Sequence, residues 1–278
     1  MAILLEDEQM RFVKTCVELY SGLFQNRGLI YKLAKNDFKN RFAGSFFGIF
    51  WAFVQPVITI LIYLFVFAVG FKTPSVSDCP FVLYLTSGLV PWFFFSEAWN
   101  GATGSLLEYS YLVKKVVFKI NTLPMVKVVS AIFVSLFFHG FMCLLFICFG
   151  YYPDLYWIQL IYYLCCVLFF ALSLSYITCS IMPFFRDLGQ IMNIVLQIGV
   201  WLTPIMWDIN VLPENIRWIM KLNPFYYIVD GYRNSFVYKV GFWQSPLWTL
   251  YFWLVIIILL ICGSVLFKKM KTQFADVL

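Results

Sequence analysis

Long apolar runs separated by short polar stretches divide the chain, at about 49–70, 81–103, 126–149, 157–185, 188–207 and 247–267. Each approaches or exceeds the ~20 residues that a helix needs to cross ~30 Å of hydrocarbon. Strongly polar interruptions are few: Gln55 in the first run, Glu97 in the second, and His139, the sole histidine, in the third. The pattern predicts an all-α polytopic membrane protein with six transmembrane helices, occupying residues 49–278. Ahead of it, Met10, Val13, Val17, Tyr20 and Phe24, then Ile30, Leu33, Phe38 and Phe42, recur at near-helical spacing with basic residues between them. Segment 1–48 is therefore expected to hold an amphipathic helix lying in the cytoplasmic membrane interface. Between the last two runs, 208–246 is too apolar for a free loop and is interrupted by Pro213 and Pro224. Backbone that leaves the helix at membrane depth must be buried in protein or line a polar cavity. Two short re-entrant helices on the external side satisfy that rule.

Basic residues near the span ends orient the chain. Arg27, Lys32, Lys35, Lys39 and Arg41 precede the first run, and Lys114, Lys115, Lys119 and Lys127 lie around the second connection. Arg186 sits between the fourth and fifth runs, and Lys268, Lys269 and Lys271 follow the last. The opposite connections carry Lys72, then a Tyr151-Tyr152-Pro153 turn, then the mixed charges of 208–246. Both termini are expected in the cytoplasm.

Composition sharpens this reading. Only 12% of residues are charged, against roughly 25% in soluble domains, so a water-facing surface cannot be coated. The net charge of +6 belongs to loops and topology and implies no nucleic-acid partner. The first residues, Met1 to Glu8, offer no basic segment ahead of an apolar core, so no cleavable signal peptide is expected. The cysteines form no CxxC pair and read as small apolar packing residues. There is no phosphate-binding GxxxxGK[ST] loop, no HExxH and no GxSxG, so neither a catalytic centre nor a metal site is predicted. His139 reads as a neutral packing or hydrogen-bonding group. Glu97 either faces a polar path or snorkels from the cytoplasmic end of its span.

The aromatic content, 21% of the chain, is the positive clue. Aromatic faces suit sugar rings that must bind weakly and keep sliding, although composition alone favours lipid-facing filler and an interfacial belt. Neighbours on a helix point ~100° apart, so Trp92 and Trp99, seven residues apart, share a face. With Trp201, Trp207, Tyr227 and Tyr232 they are the candidates for a substrate channel. Phe94 and Phe95 are left to lipid or packing.

Three further elements carry a resemblance. Asp37-Phe38-Lys39-Asn40-Arg41-Phe42-Ala43-Gly44-Ser45 leads into Gly48-Ile49-Phe50-Trp51 and Gln55-Pro56, and Leu222-Asn223-Pro224-Phe225-Tyr226-Tyr227 precedes Asp230-Gly231-Tyr232-Arg233. In order and spacing these resemble the membrane permease subunit of ABC exporters for O-antigen, capsular polysaccharide or teichoic acid. Phe42 replaces the commoner Tyr and Gln55-Pro56 the commoner Asn-Pro. The resemblance implies a transporter subunit with no enzyme activity of its own, homodimeric, in the bacterial inner (plasma) membrane. It would pair with two copies of an ABC ATPase, which would hold ATP and magnesium; no cofactor is expected on this chain. The substrate would be an undecaprenyl-diphosphate-linked glycan. The loop at about 106–122 would form a gate, with Tyr109, Tyr111, Lys114, Lys115 and Lys119. Its lysines could attract a diphosphate or serve topology alone. Docking to the ATPase would involve Asp37, Lys39, Arg41, Arg186 and Asp187, and the family motif would comprise Asn223, Pro224, Asp230 and Arg233. An ABC export permease for a drug or lipid, and a membrane-embedded transferase, are the alternatives.

Overall fold

The computed structural model describes residues 21–41, 46–72, 79–114 and 119–278. The described residues form an all-α protein without a β-strand. The helices are α1 (Arg27–Arg41), α2 (Trp51–Leu64), α3 (Phe81–Glu108), α4 (Ser110–Val113), α5 (Leu123–Cys148), α6 (Gln159–Ile181), α7 (Leu188–Leu202), α8 (Glu214–Lys221), α9 (Pro224–Arg233), α10 (Pro246–Met270) and α11 (Phe274–Val277). The part of the predicted interface helix at 10–20 lies outside the described residues, as do 42–45 of the lead-in to the first span.

Among the described residues, five helical segments are long and apolar enough to cross a membrane: Gly48–Gly70, Phe81–Glu108, Ile120–Cys148, Leu155–Ile181 and Pro246–Gln273. The remaining predicted span, 188–207, is helical only as far as Leu202 in α7. Fifteen residues at 1.5 Å rise reach ~22 Å, short of the ~30 Å hydrocarbon core. Pro204 stops the helix, because a proline disfavours helical geometry in the residue before it, and Thr203 is indeed extended. The expected pair of short helices follows as α8 and α9. Asn223 caps α9 by accepting a hydrogen bond from the Phe225 amide at 3.0 Å, with Pro224 at the first helical position, where its missing N–H costs nothing.

α3 is the hub. Of its most apolar stretch 78% is buried, against 6% for the first span. α3 packs on α5, α6, α7 and α9, and α6 packs on α10. At the centre, Phe95 stacks on Phe170 with centroids 5.1 Å apart, and Phe225 meets both Phe95 and Trp92 at 4.9 Å. His139 anchors a second contact. Its Nδ1 lies 2.7 Å from the Ser135 carbonyl, which can only accept, so the proton sits on Nδ1 and Tyr232 donates to Nε2 at 2.6 Å. The histidine is the hydrogen-bonding residue the sequence suggested.

α9 approaches α6 closely because Gly231 lacks a side chain. A Cβ there would stand 2.0 Å from the ring of Tyr163. Gly231→Ala is therefore expected to destabilise the protein by about 1–3 kcal/mol. Thermal unfolding in detergent should show the loss, and Tyr163→Ala in the same chain should recover part of it.

Candidate functional site

Charge gathers where α1 meets the cores of α3 and α5. Ile30, Ala34 and Asp37 are the buried residues of α1, at the i, i+4, i+7 spacing of one helical face. That face carries Asp37 inward until it is 6% exposed. Its Oδ1 accepts from Lys127 Nζ of α5 and from the Tyr109 hydroxyl, each at 2.7 Å. Lys127 also pairs with Glu108 at the end of α3 and lies 5.3 Å from the Tyr109 ring centroid. One turn beyond Asp37, Arg41 pairs with Glu97 of α3. Burial pushes the Asp37 carboxyl up, but the hydrogen bonds from Lys127 and Tyr109 outweigh it and hold the group below the usual carboxylate range. Burial, reinforced by the hydrogen bond to Asp37, pushes the Tyr109 phenol up.

These charges form one wall of a cavity of about 920 Å³ between α1, α2, α3, α5 and α7. Gln55 and Thr59 of α2 and Ser96 and Asn100 of α3 supply amides and hydroxyls, and Trp51 and Phe93 supply aromatic surface. Pro56 also lines it, and its ring leaves the Ala52 carbonyl without the usual helical donor. Asn100 reaches α7 through a 3.1 Å hydrogen bond to Asn193. A polar hollow inside an apolar bundle is where polar cargo could sit.

At the opposite end of α3 the broken helix α7 is held by Arg233. Its Nη1 and Nη2 donate to the carbonyls of Pro204 and Ile205, each at 2.8 Å. The guanidinium carbon sits over Tyr84, 3.5 Å from the ring centroid. Asn223 donates to Thr203 Oγ1 at 2.9 Å, and the Tyr84 hydroxyl donates to the Trp207 carbonyl at 3.1 Å. Gly88 makes room, since a Cβ there would meet Ile205 Cγ2 at 2.9 Å. Asp230 accepts from Asn234 at 3.0 Å and from the Tyr226 hydroxyl at 3.4 Å. Asn223 thus caps α9, Pro224 starts it and Arg233 repairs the break after α7, while Asp230 bonds within its own helix region.

The aromatic candidates separate by location. Trp92 and Trp99 are 7% and 8% exposed and pack within the core, as do Phe94 and Phe95; neither tryptophan lines the large cavity. Tyr232 is fully buried against His139. Trp207 is half-buried, its indole donating to the Trp201 carbonyl at 3.0 Å. Trp201 is half exposed beside Tyr63. Tyr227 lines a second cavity of about 150 Å³, together with Lys221 and Asp230. In the gate region Tyr111, Lys114 and Lys119 are exposed, Tyr109 is tied to Asp37, and Lys115 lies outside the described residues. Of the docking candidates Lys39, Arg186 and Asp187 are exposed and Arg41 is bound to Glu97. Asp37 faces inward, so its carboxylate is a structural anchor and presents no surface to a partner.

Lys127, Glu108, Tyr84 and Thr203 were not singled out by the sequence. A lysine just inside a predicted span was the available signal for Lys127, where it reads first as a topology marker. Nothing local marks Tyr84, whose partner lies far along the chain.

The family model described as ABC-2 type transporter matches residues 28–237. The chain is 28% identical over 262 residues to an O-antigen export system permease protein RfbA of Myxococcus xanthus, covering 94% of this chain and 99% of that protein. It is 26% identical over 263 residues to a protein of the same name from Klebsiella pneumoniae, covering 90% and 95%.

Two outcomes follow from the geometry. Lys127→Met strands Asp37 in the interior and is expected to cost about 3–5 kcal/mol. Adding Asp37→Asn should restore much of the melting temperature, because removing both charges is far milder than removing one. Arg233→Lys keeps the charge but loses the planar fork. Orphaning one buried carbonyl costs about 1–3 kcal/mol, which thermal unfolding of the purified protein should register.

Proposed function

Because the chain belongs to the ABC-2 type transporter family, we propose that it is the membrane permease subunit of an ATP-driven exporter for a lipid-linked polysaccharide. The observation that carries this reading is the likeness to two O-antigen export permeases along nearly their whole length. The polar cavity supports it, since a glycan chain leaving the cytoplasm needs hydroxyl- and amide-lined space beside the spans. The side bearing α1, α4 and the ends of α6 and α10 is cytoplasmic in this reading. Lys39, Lys114, Lys119, Arg186, Lys268 and Lys269 all fall there, in keeping with the positive-inside rule.

An ABC ATPase supplies the energy. Its ATP and magnesium would be held by that partner, which docks on the exposed Lys39, Arg186 and Asp187. A second copy of the chain would cover the apolar sides of α2 and α7. Both helices expose large aliphatic side chains, Ile58 and Leu61 on one and Ile194 and Ile198 on the other. Trp92, Trp99 and Tyr232, packed in the core, then hold the helices that shape the path, while Trp201 and Tyr227 can meet sugar. Lys114, Lys115 and Lys119 collect the diphosphate head at the inner surface.

Native mass spectrometry of the chain co-expressed with its ATPase is expected to give a complex with equal copies of each; a lone monomer would refute the assembly. Replacing Lys114, Lys115 and Lys119 together with Gln is expected to abolish surface glycan while complex formation persists. Wild-type glycan in that variant would return the lysines to a purely topological role.

A further inference from the structure

The cavity beside α1 has an uneven charge balance. Among its described lining residues Asp37, Glu97 and Glu108 are acidic and Arg41 and Lys127 are basic, which leaves one formal negative charge. Both cations are already committed. Arg41 pairs with Glu97, and Lys127 with Asp37 and Glu108. Spare acceptor capacity remains on Glu108, whose side chain is 56% exposed, whereas Asp37 is buried and paired with Lys127 and Arg41. The other polar lining groups, Asn40, Gln55, Thr59, Ser96, Asn100 and Tyr109, are neutral side chains that can donate and accept as sugar hydroxyls do.

We infer that this cavity selects the exported glycan by charge, admitting neutral or amino-bearing sugars and rejecting polyanionic ones. The inference rests on the permease reading and narrows its substrate. A uronate or phosphate in the cavity would meet committed cations and an excess of carboxylate, in surroundings that screen charge poorly. A polymer with an anion in every repeat would meet that opposition repeat after repeat. A sugar amine instead finds the exposed Glu108 carboxylate, and an uncharged sugar finds hydroxyls, amides and the faces of Trp51 and Phe93. The anionic diphosphate does not conflict with this, because Lys114 and Lys119 lie outside the cavity lining. Head and chain would be received at separate places.

The test uses the permease with its ATPase in a bacterium lacking its own polysaccharide exporter. The host builds, on undecaprenyl diphosphate, either a neutral homopolymer or a polymer of matched length with one uronate per repeat. Surface polymer is measured against permease abundance. Export of the uronate polymer is expected to be lower by roughly tenfold or more, as one like charge at ~8 Å predicts at an effective dielectric of ~20. Glu97→Gln and, independently, Glu108→Gln should each raise the uronate-to-neutral ratio. Using both guards against a folding defect in either. Equal export of the two polymers, or a ratio unmoved in both variants, overturns charge selection and leaves the permease reading standing. Export of neither polymer by the intact complex overturns both.

Discussion

Hydrocarbon offers no hydrogen bonds, so a chain that stops being helical inside a membrane must bring its own partners. That constraint shapes the α3–α7–α9 region. α7 ends at Leu202, and the carbonyls of Pro204 and Ile205 then have no helical donors. Arg233 supplies both from ten residues along α9, and Tyr84 backs its charge with a ring face. The arrangement fixes α9 to α3, lets Phe225 enter the central aromatic cluster, and gives Gly88 and Gly231 their tight neighbours. A buried arginine without a paired carboxylate would ordinarily be costly. Here two carbonyls and a ring offset the cost, and the same contacts satisfy the backbone.

The opposite end of α3 solves a different problem with the same economy of parts. α1 has no soluble domain to pack on among the described residues, so its attachment comes from charge as well as from Ile30 and Ala34. Asp37, Lys127, Tyr109 and Glu108 interlock in a space where removing any one strands another. Such buried pairs add little net stability compared with apolar substitutes, but they tolerate few alternative arrangements. The network thereby fixes how α1 sits on α3 and α5, and so fixes one wall of the cavity.

Much of the architecture was legible because span length and hydropathy are coarse signals with few rivals. Apolar character reports depth, however, and says nothing of helicity. The run 188–207 stays apolar past Pro204, so it read as one span although the helix stops short. Helical periodicity behaved similarly. It put Trp92 and Trp99 on one face of α3, but a period does not name the neighbour: Phe95 sits on that face between them, and Trp92 meets Gly199 and Phe225. Asp37 read as a surface charge because the partners that draw it inward, Lys127 on α5 and Tyr109 in the turn after α3, lie far away in sequence. The re-entrant pair was readable from its prolines, whereas the bond from Arg233 back to residues 204 and 205 was not, since nothing local encodes it.

The burial of α3 bears on how the chain enters the membrane. Little of the first span is buried within the chain, and its apolar sequence can partition on its own. α3 carries Thr86, Ser87, Glu97 and Asn100 and is the least apolar of the five long spans. Thr86 and Ser87 bond to their own helix, but Glu97 and Asn100 find partners on other elements. As synthesis proceeds, α3 would dwell at the insertion machinery or the membrane surface until α5 and α6 emerge to flank it. The segment that organises the finished protein is then the one whose residence in the bilayer is decided last.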